Sequence, residues 1–270
     1  MKKRIFKLTA LCMAAMMLLT ACGSKKDPAQ SGSEASDTLT VVISADPTTL
    51  DPSHISGSAM GQVVRQMYDT LFVYDENYDI TPWLAESYEY ENDETLVLHI
   101  RKGVKFASGE ELKASDVLFT IKTAQEGTGA SDSFQKVVLD RSEVVDDYTL
   151  KLATDGPVAT LIAGLQLPDT GILSEKAYNE CGGDYMKLAE NGGSGPFKLK
   201  AYVPGDRIEM TANENYWREG EPHYKNLTMR FVTDASSRAI EAETGNADIV
   251  YNIASKDIET VKAAKGVEFV

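Results

Sequence analysis

Apolar and polar positions change rhythm repeatedly along this chain, and each rhythm marks an element. Thr38-Leu-Thr-Val-Val-Ile-Ser44 is a β-branched run and predicts a strand. Asp46-Pro47 and Asp51-Pro52 then impose extended or turn backbone. From Ser58 the apolar residues Met60, Val63, Val64, Met67, Tyr68 and Leu71 recur at helical spacing, which predicts one amphipathic helix through Leu71. Leu96, Leu98 and Ile100 alternate with Val97 and His99 as in a half-buried strand. A helix is expected through Val117, Leu118, Ile121 and Lys122, capped by Ser115 with Asp116 in its first turn. Glu143-Val-Val and Tyr148–Leu152 flank Asp146-Asp147 as a hairpin, and Pro157 opens a short helix ending near Gln166. Asn191-Gly-Gly-Ser-Gly-Pro196 is the strongest break in the pattern and a candidate crossing between domains. Beyond it, strands at 197–203 and 207–211 are joined by Pro204-Gly205-Asp206, and a third runs over 227–232. A helix over 234–243 stops at Gly245. A strand at 248–251, a helix over 256–264 and a strand beginning at Val267 follow. This alternation predicts an α/β layer, and a chain stopping inside a strand reads as a truncation.

The first 37 residues follow another logic. Lys2, Lys3, Arg4 and Lys7 precede an apolar run from Leu8 to Leu19, too short for a finished membrane helix and suited to a secretory signal. Leu19-Thr20-Ala21-Cys22 looks like a bacterial lipobox, so residues 1–21 are expected to be removed and Cys22 to carry acyl chains. Only a thiol can form such a thioether. Residues 22–37 are rich in Ser, Gly, Lys and acids, with no large apolar side chain, and read as a flexible tether.

Charge and residue chemistry narrow the function. Loss of residues 1–21 removes four cations and takes the formal charge from −14 to −18. Such a surface repels nucleic acid and anionic membrane. With Cys22 acylated and Cys12 removed, Cys181 stands alone, which excludes a disulfide framework. His54, His99 and His223 are far apart without ligand-type neighbours, so no metal is expected. Ser194 lies between glycines but leads into Pro196 and a strand, the wrong setting for a nucleophile. Asp75-Glu76, Glu110-Glu111 and Asp146-Asp147 lie at turns and read as solvated acids. No catalytic constellation emerges, and neither an enzyme nor a cofactor is expected.

Four blocks carry a family resemblance. They are Leu50-Asp51-Pro52 with its following helix; Trp83-Leu-Ala-Glu-Ser-Tyr88; and Gly103-Val-Lys-Phe-Ala-Ser-Gly109 with Lys113-Ala-Ser-Asp-Val-Leu-Phe119. The fourth joins Gly195-Pro-Phe-Lys-Leu199, Pro204-Gly-Asp-Arg207, Asn215-Tyr-Trp217 and Gly245-Asn-Ala-Asp-Ile249. In this order they resemble the peptide and nickel extracellular solute-binding proteins, family 5, across residues 38–270. The resemblance implies a three-lobed α/β fold of the type II periplasmic-binding-protein kind. Lobe I would comprise 38–68 and 187–270, lobe II 69–186, and lobe III would be missing. Relatives close the ligand between lobes I and III. Counting from Leu50-Asp51-Pro52, the segment whose main chain meets the ligand would be Ser56-Gly57-Ser58. Backbone groups there would read a peptide's own backbone, and Gly57 would permit close approach. The same residues also fit an ordinary loop with Ser58 as helix N-cap, and the two roles can coexist. Trp83 and Trp217 fit packing between lobes, with a cleft-lining role as the alternative.

The implied function is the lipid-anchored receptor of an ABC importer for oligo- or dipeptides or similar small solutes. Its partners would be the solute, a permease and an ATPase, and the membrane through Cys22. It would lie at the outer face of the cytoplasmic membrane or in the periplasm. A peptide-sensing or adhesive surface lipoprotein on the same scaffold is the alternative.

Overall fold

The structure is a computed structural model that describes residues 36–55, 57–126, 132–157 and 161–270. The expected signal peptide, Cys22, all but the end of the tether, and Ser56 lie outside the described residues. Along the chain the first elements are β1 (Thr38–Ile43), α1 (Ser58–Val64), β2 (Phe72–Tyr74), β3 (Ile80–Pro82), β4 (Ala85–Asn92) and β5 (Thr95–Ile100). Next come α2 (Ala114–Glu126), α3 (Asp132–Gln135), β6 (Glu143–Asp146), β7 (Thr149–Ala153), α4 (Leu161–Gly164), α5 (Glu175–Cys181) and α6 (Tyr185–Asn191). The last are β8 (Phe197–Val203), β9 (Arg207–Ala212), β10 (Asn226–Phe231), α7 (Ala235–Thr244), β11 (Ile249–Val250) and α8 (Ile258–Ala263).

Two larger sheets organise these elements. One has the order β11-β1-β10-β9-β8. In it β1 lies parallel to both β10 and β11, and the other pairs are antiparallel. Helix α7 connects β10 to β11, which flank β1 on either side and run parallel to it. Its ends are set by sequence: Asp234 accepts from Ser237 N, and Gly245 takes the left-handed cap with φ +67°. Arg238, buried in α7, donates to the carbonyls of Val232, Thr233 and Asn252 and fixes the helix against both flanking loops. The other large sheet is antiparallel, ordered β4-β5-β7-β6. Buried side chains fall into two clusters. One is built from β4, β5, β7, α2 and their connections; the other from β1, α1, α5, α6 and β8–β10.

Several expectations need correction. Helix α1 ends at Val64, not Leu71, although Met67, Tyr68 and Leu71 are fully buried. Beyond it the carbonyls of Gln66 and Met67 accept the N–H groups of Phe197 and Gly195 at 2.9 Å each, so they cannot continue the helical ladder. Ser115 lies inside α2 rather than capping it. The capping contact comes from Asp116, whose Oδ2 accepts Lys113 N at 2.9 Å. Its Oδ1 accepts Glu175 N at 3.0 Å, tying α2 to the start of α5. Residues 267–270 form no strand, for want of a ladder partner among the described residues. Of the helix expected from Pro157, residues 158–160 lie outside the description and Leu161–Gly164 is helical. The two hairpins and α7 stand where the pattern places them.

Candidate functional site

The approach to the candidate segment is held by Asp51. Its Oδ1 accepts Ser53 N at 2.9 Å and Ser53 Oγ at 2.8 Å, and its Oδ2 lies 2.5 Å from His54 Nδ1. This closes the Pro52–His54 turn and aims the chain toward α1. Gly57 then stands at the N-cap with φ +81° and ψ 162° and no side-chain cap. Ser58 is the first helical residue, not the cap. The Gly57 backbone lies in a region essentially reserved for glycine. A Cβ there would meet nothing within 4 Å, so glycine is required for conformation rather than for room inside the protein. Gly57 and Ser58 are both exposed. Ser56 lies outside the described residues.

Both residues open onto a concavity of about 430 Å³, within the range of small-molecule pockets. One wall is the polar face of α1, where Ser58, Gln62 and Arg65 follow i, i+4, i+7 spacing; the facing wall is Leu167, Pro168 and Asp169. Gly61 permits this packing, since a Cβ there would lie 3.0 Å from Pro168 Cγ. Arg65 Nη2 donates to Gln166 O at 3.0 Å. Burial draws the guanidinium below its usual pKa, and Asp169 pulls it back only in part. Apolar periodicity marks the opposite stripe of this helix, and the signal for Gln62 and Arg65 is the polar spacing that it leaves out.

A second polar centre lies at Asp69. This buried carboxylate accepts Trp83 Nε1 at 2.9 Å and Trp217 Nε1 at 3.0 Å. The indoles meet edge to face at 5.1 Å, with Arg218 over Trp83 and Arg101 over Trp217. Burial pushes the Asp69 carboxyl up to about 6, against the two indole hydrogen bonds and Arg218. Neither tryptophan lines the concavity at Gly57. Their partners make them a joint between segments distant in sequence, and Asp69, unremarkable in the sequence, is its centre.

The other residues singled out from the sequence take ordinary places. His54 turns to Asp51, and His99 is half-exposed with Nε2 4.0 Å from Glu89. Among the described residues no group of three His, Cys, Asp or Glu could hold a metal. No described helix is long and apolar enough to cross a membrane. Ser194 is fully buried. Cys181 donates to Tyr178 O at 3.3 Å. Glu111 accepts Gly103 N and Tyr148 Oη at 2.8 Å, Asp146 accepts Tyr148 N at 2.8 Å, and Asp147 pairs with Lys113. These acids serve turns and surface pairs.

Comparison with known proteins extends this picture. The family model "Bacterial extracellular solute-binding proteins, family 5 Middle" matches residues 79–270. A glutathione-binding protein, GsiB, of Salmonella choleraesuis is 27% identical over 254 residues, covering 93% of this chain and 49% of its own length. The chain thus spans about half the length of the curated relatives it matches. A nickel ABC transporter structure from Bacillus halodurans is 29% identical with TM-score 0.72, covering 85% of this chain and 46% of that one. The oligopeptide-binding protein AppA of Bacillus subtilis, in complex with a nonapeptide, shares the fold with TM-score 0.73 at 24% identity, covering 84% and 46%.

Proposed function

Since the chain belongs to the bacterial extracellular solute-binding proteins of family 5, we propose that the whole protein is the extracytoplasmic receptor of an ABC importer for small peptides or similar solutes. It would deliver its solute to a permease driven by an ATPase. The observation that carries this reading is the exposed Gly57–Ser58 main chain opening onto a pocket of ligand size. Glutathione, which the Salmonella relative is named for binding, is itself a tripeptide. The Bacillus halodurans relative, named for nickel, keeps a metal chelate within the solute class.

In this reading residues 38–68 with 187–270 form lobe I and residues 69–186 form lobe II, with Leu173 and Ala177 of the second stretch packing into the buried cluster of the first. Ser56, Gly57 and Ser58 present backbone donors and acceptors to the solute. Acyl chains on Cys22 hold the receptor at the membrane, where two or more chains are needed for a stable anchor. Calorimetry of the full-length protein with glutathione, a random tripeptide pool and a nickel chelate tests the function. Binding of peptide or glutathione supports it; silence toward all three sinks it. Gly57→Ala should weaken that binding and also destabilise the ligand-free protein by about 1–3 kcal/mol, because its φ excludes side chains. Unchanged affinity in a folded Gly57→Ala variant would make the segment a mere helix lead-in. For the anchor, Cys22→Ala should abolish fatty-acid labelling in cells; label retained by the variant would refute acylation there.

A further inference from the structure

The polar stripe of α1 has chemistry that backbone reading does not use. We infer that Arg65 holds a carboxylate of the solute in this pocket, with Gln62 and Ser58 hydrogen-bonding along the same helix face. The protein would then select solutes bearing a carboxylate. This deepens the solute-binding reading and rests on it.

At about 100° per residue, Ser58, Gln62 and the C-cap Arg65 fall within roughly 60° of one another, and the buried Met60, Val63 and Val64 point the opposite way. The stripe therefore faces the concavity along its whole length. The Arg65 bond to Gln166 O uses one of five N–H donors and sets the plane of the fork. A guanidinium so fixed suits bidentate pairing with a carboxylate. Burial lowers its pKa, and Asp169 raises it only in part. An anion arriving in the pocket would restore what burial removes. Ile55, Leu167 and Pro168 give the pocket apolar walls, which strengthen such a pair.

The test is calorimetry of the full-length protein with three tripeptide pools. The first has neutral side chains and free C-termini, the second neutral side chains and amidated C-termini, and the third amidated C-termini with one Glu side chain. One or both of the carboxylate-bearing pools should bind about ten- to a hundredfold tighter than the carboxylate-free one. Which of the two does so identifies the source of the carboxylate. In Arg65→Gln, checked for folding by thermal unfolding, this preference should collapse to within about threefold, and Arg65→Lys, which keeps charge without the fork, should fall between. If Arg65→Gln does not fold, the wild type and Arg65→Lys decide. A carboxylate-free pool that binds wild type equally well, or a preference that survives in Arg65→Gln, overturns the role of Arg65 and leaves solute binding standing. Binding of none of the pools overturns the peptide reading itself, and this inference with it.

Discussion

Gly193→Ala should be the most damaging single substitution in the described chain, costing more than about 4 kcal/mol or preventing folding altogether. A Cβ at that position would lie 2.0 Å from Met67 O, 2.9 Å from Met67 C and 3.0 Å from Tyr68 Cδ1. Neither strand of backbone can retreat. Met67 O is already the acceptor of Gly195 N at 2.9 Å, and Gly193 O accepts Ala107 N at 2.8 Å. The glycine is there for close approach, and its φ is not in the left-handed region. Gly245→Ala provides the contrast, because its Cβ would meet open space and only its φ of +67° is strained. That change should cost about 1 kcal/mol. Urea unfolding followed by tryptophan fluorescence measures both. Similar midpoints for the two variants would mean that the 193–195 crossing is looser than its contacts indicate.

Asp69 should make the protein respond to pH in the sense opposite to an ordinary paired carboxylate. Burial raises its carboxyl from the ordinary 3.8 to about 6, so the folded state holds the proton more tightly. The corresponding stability is present below about pH 4 and is lost as pH rises through about 6. The shift corresponds to about 3 kcal/mol. Wild type should therefore gain about that much stability relative to Asp69→Asn between pH 7 and pH 4. Asparagine has no proton to bind, and its Oδ1 keeps one indole while its NH₂ faces the other as donor against donor. Unfolding midpoints of both proteins across that range check the sign. A flat or inverted difference would show that the two indole bonds and Arg218 outweigh burial.

Local chemistry made much of this fold legible. The β-branched run of β1, the turn at Pro204-Gly205-Asp206 and the Asp234 and Gly245 caps each have near-neighbour causes, and each lies where the pattern put it. What escaped depends on residues far away in sequence. Helix α1 stops early because strand β8 and the glycines before it claim its next carbonyls. Gly57, not Ser58, caps it because the Asp51 turn delivers the chain at an angle only glycine can take. Asp69 is one acid among many until Trp83 and Trp217 are brought to it from 14 and 148 residues away. Arg65 was hidden differently: it lies on the half of an amphipathic pattern that apolar periodicity treats as solvent.

The position of β1 governs the order in which the chain can assemble. Among the described residues its ladder partners are β10 and β11, and both lie beyond residue 225 in the chain. The antiparallel sheet β4–β7, by contrast, draws all its strands from one continuous stretch, residues 85–153. Local pairings of that kind form ahead of distant ones because they close shorter loops. The first strand of the described chain is thus among the last to be paired. Fusion of a bulky tag just before Thr38 should accordingly interfere late, in the joining of the mixed sheet, and leave the antiparallel sheet to form undisturbed.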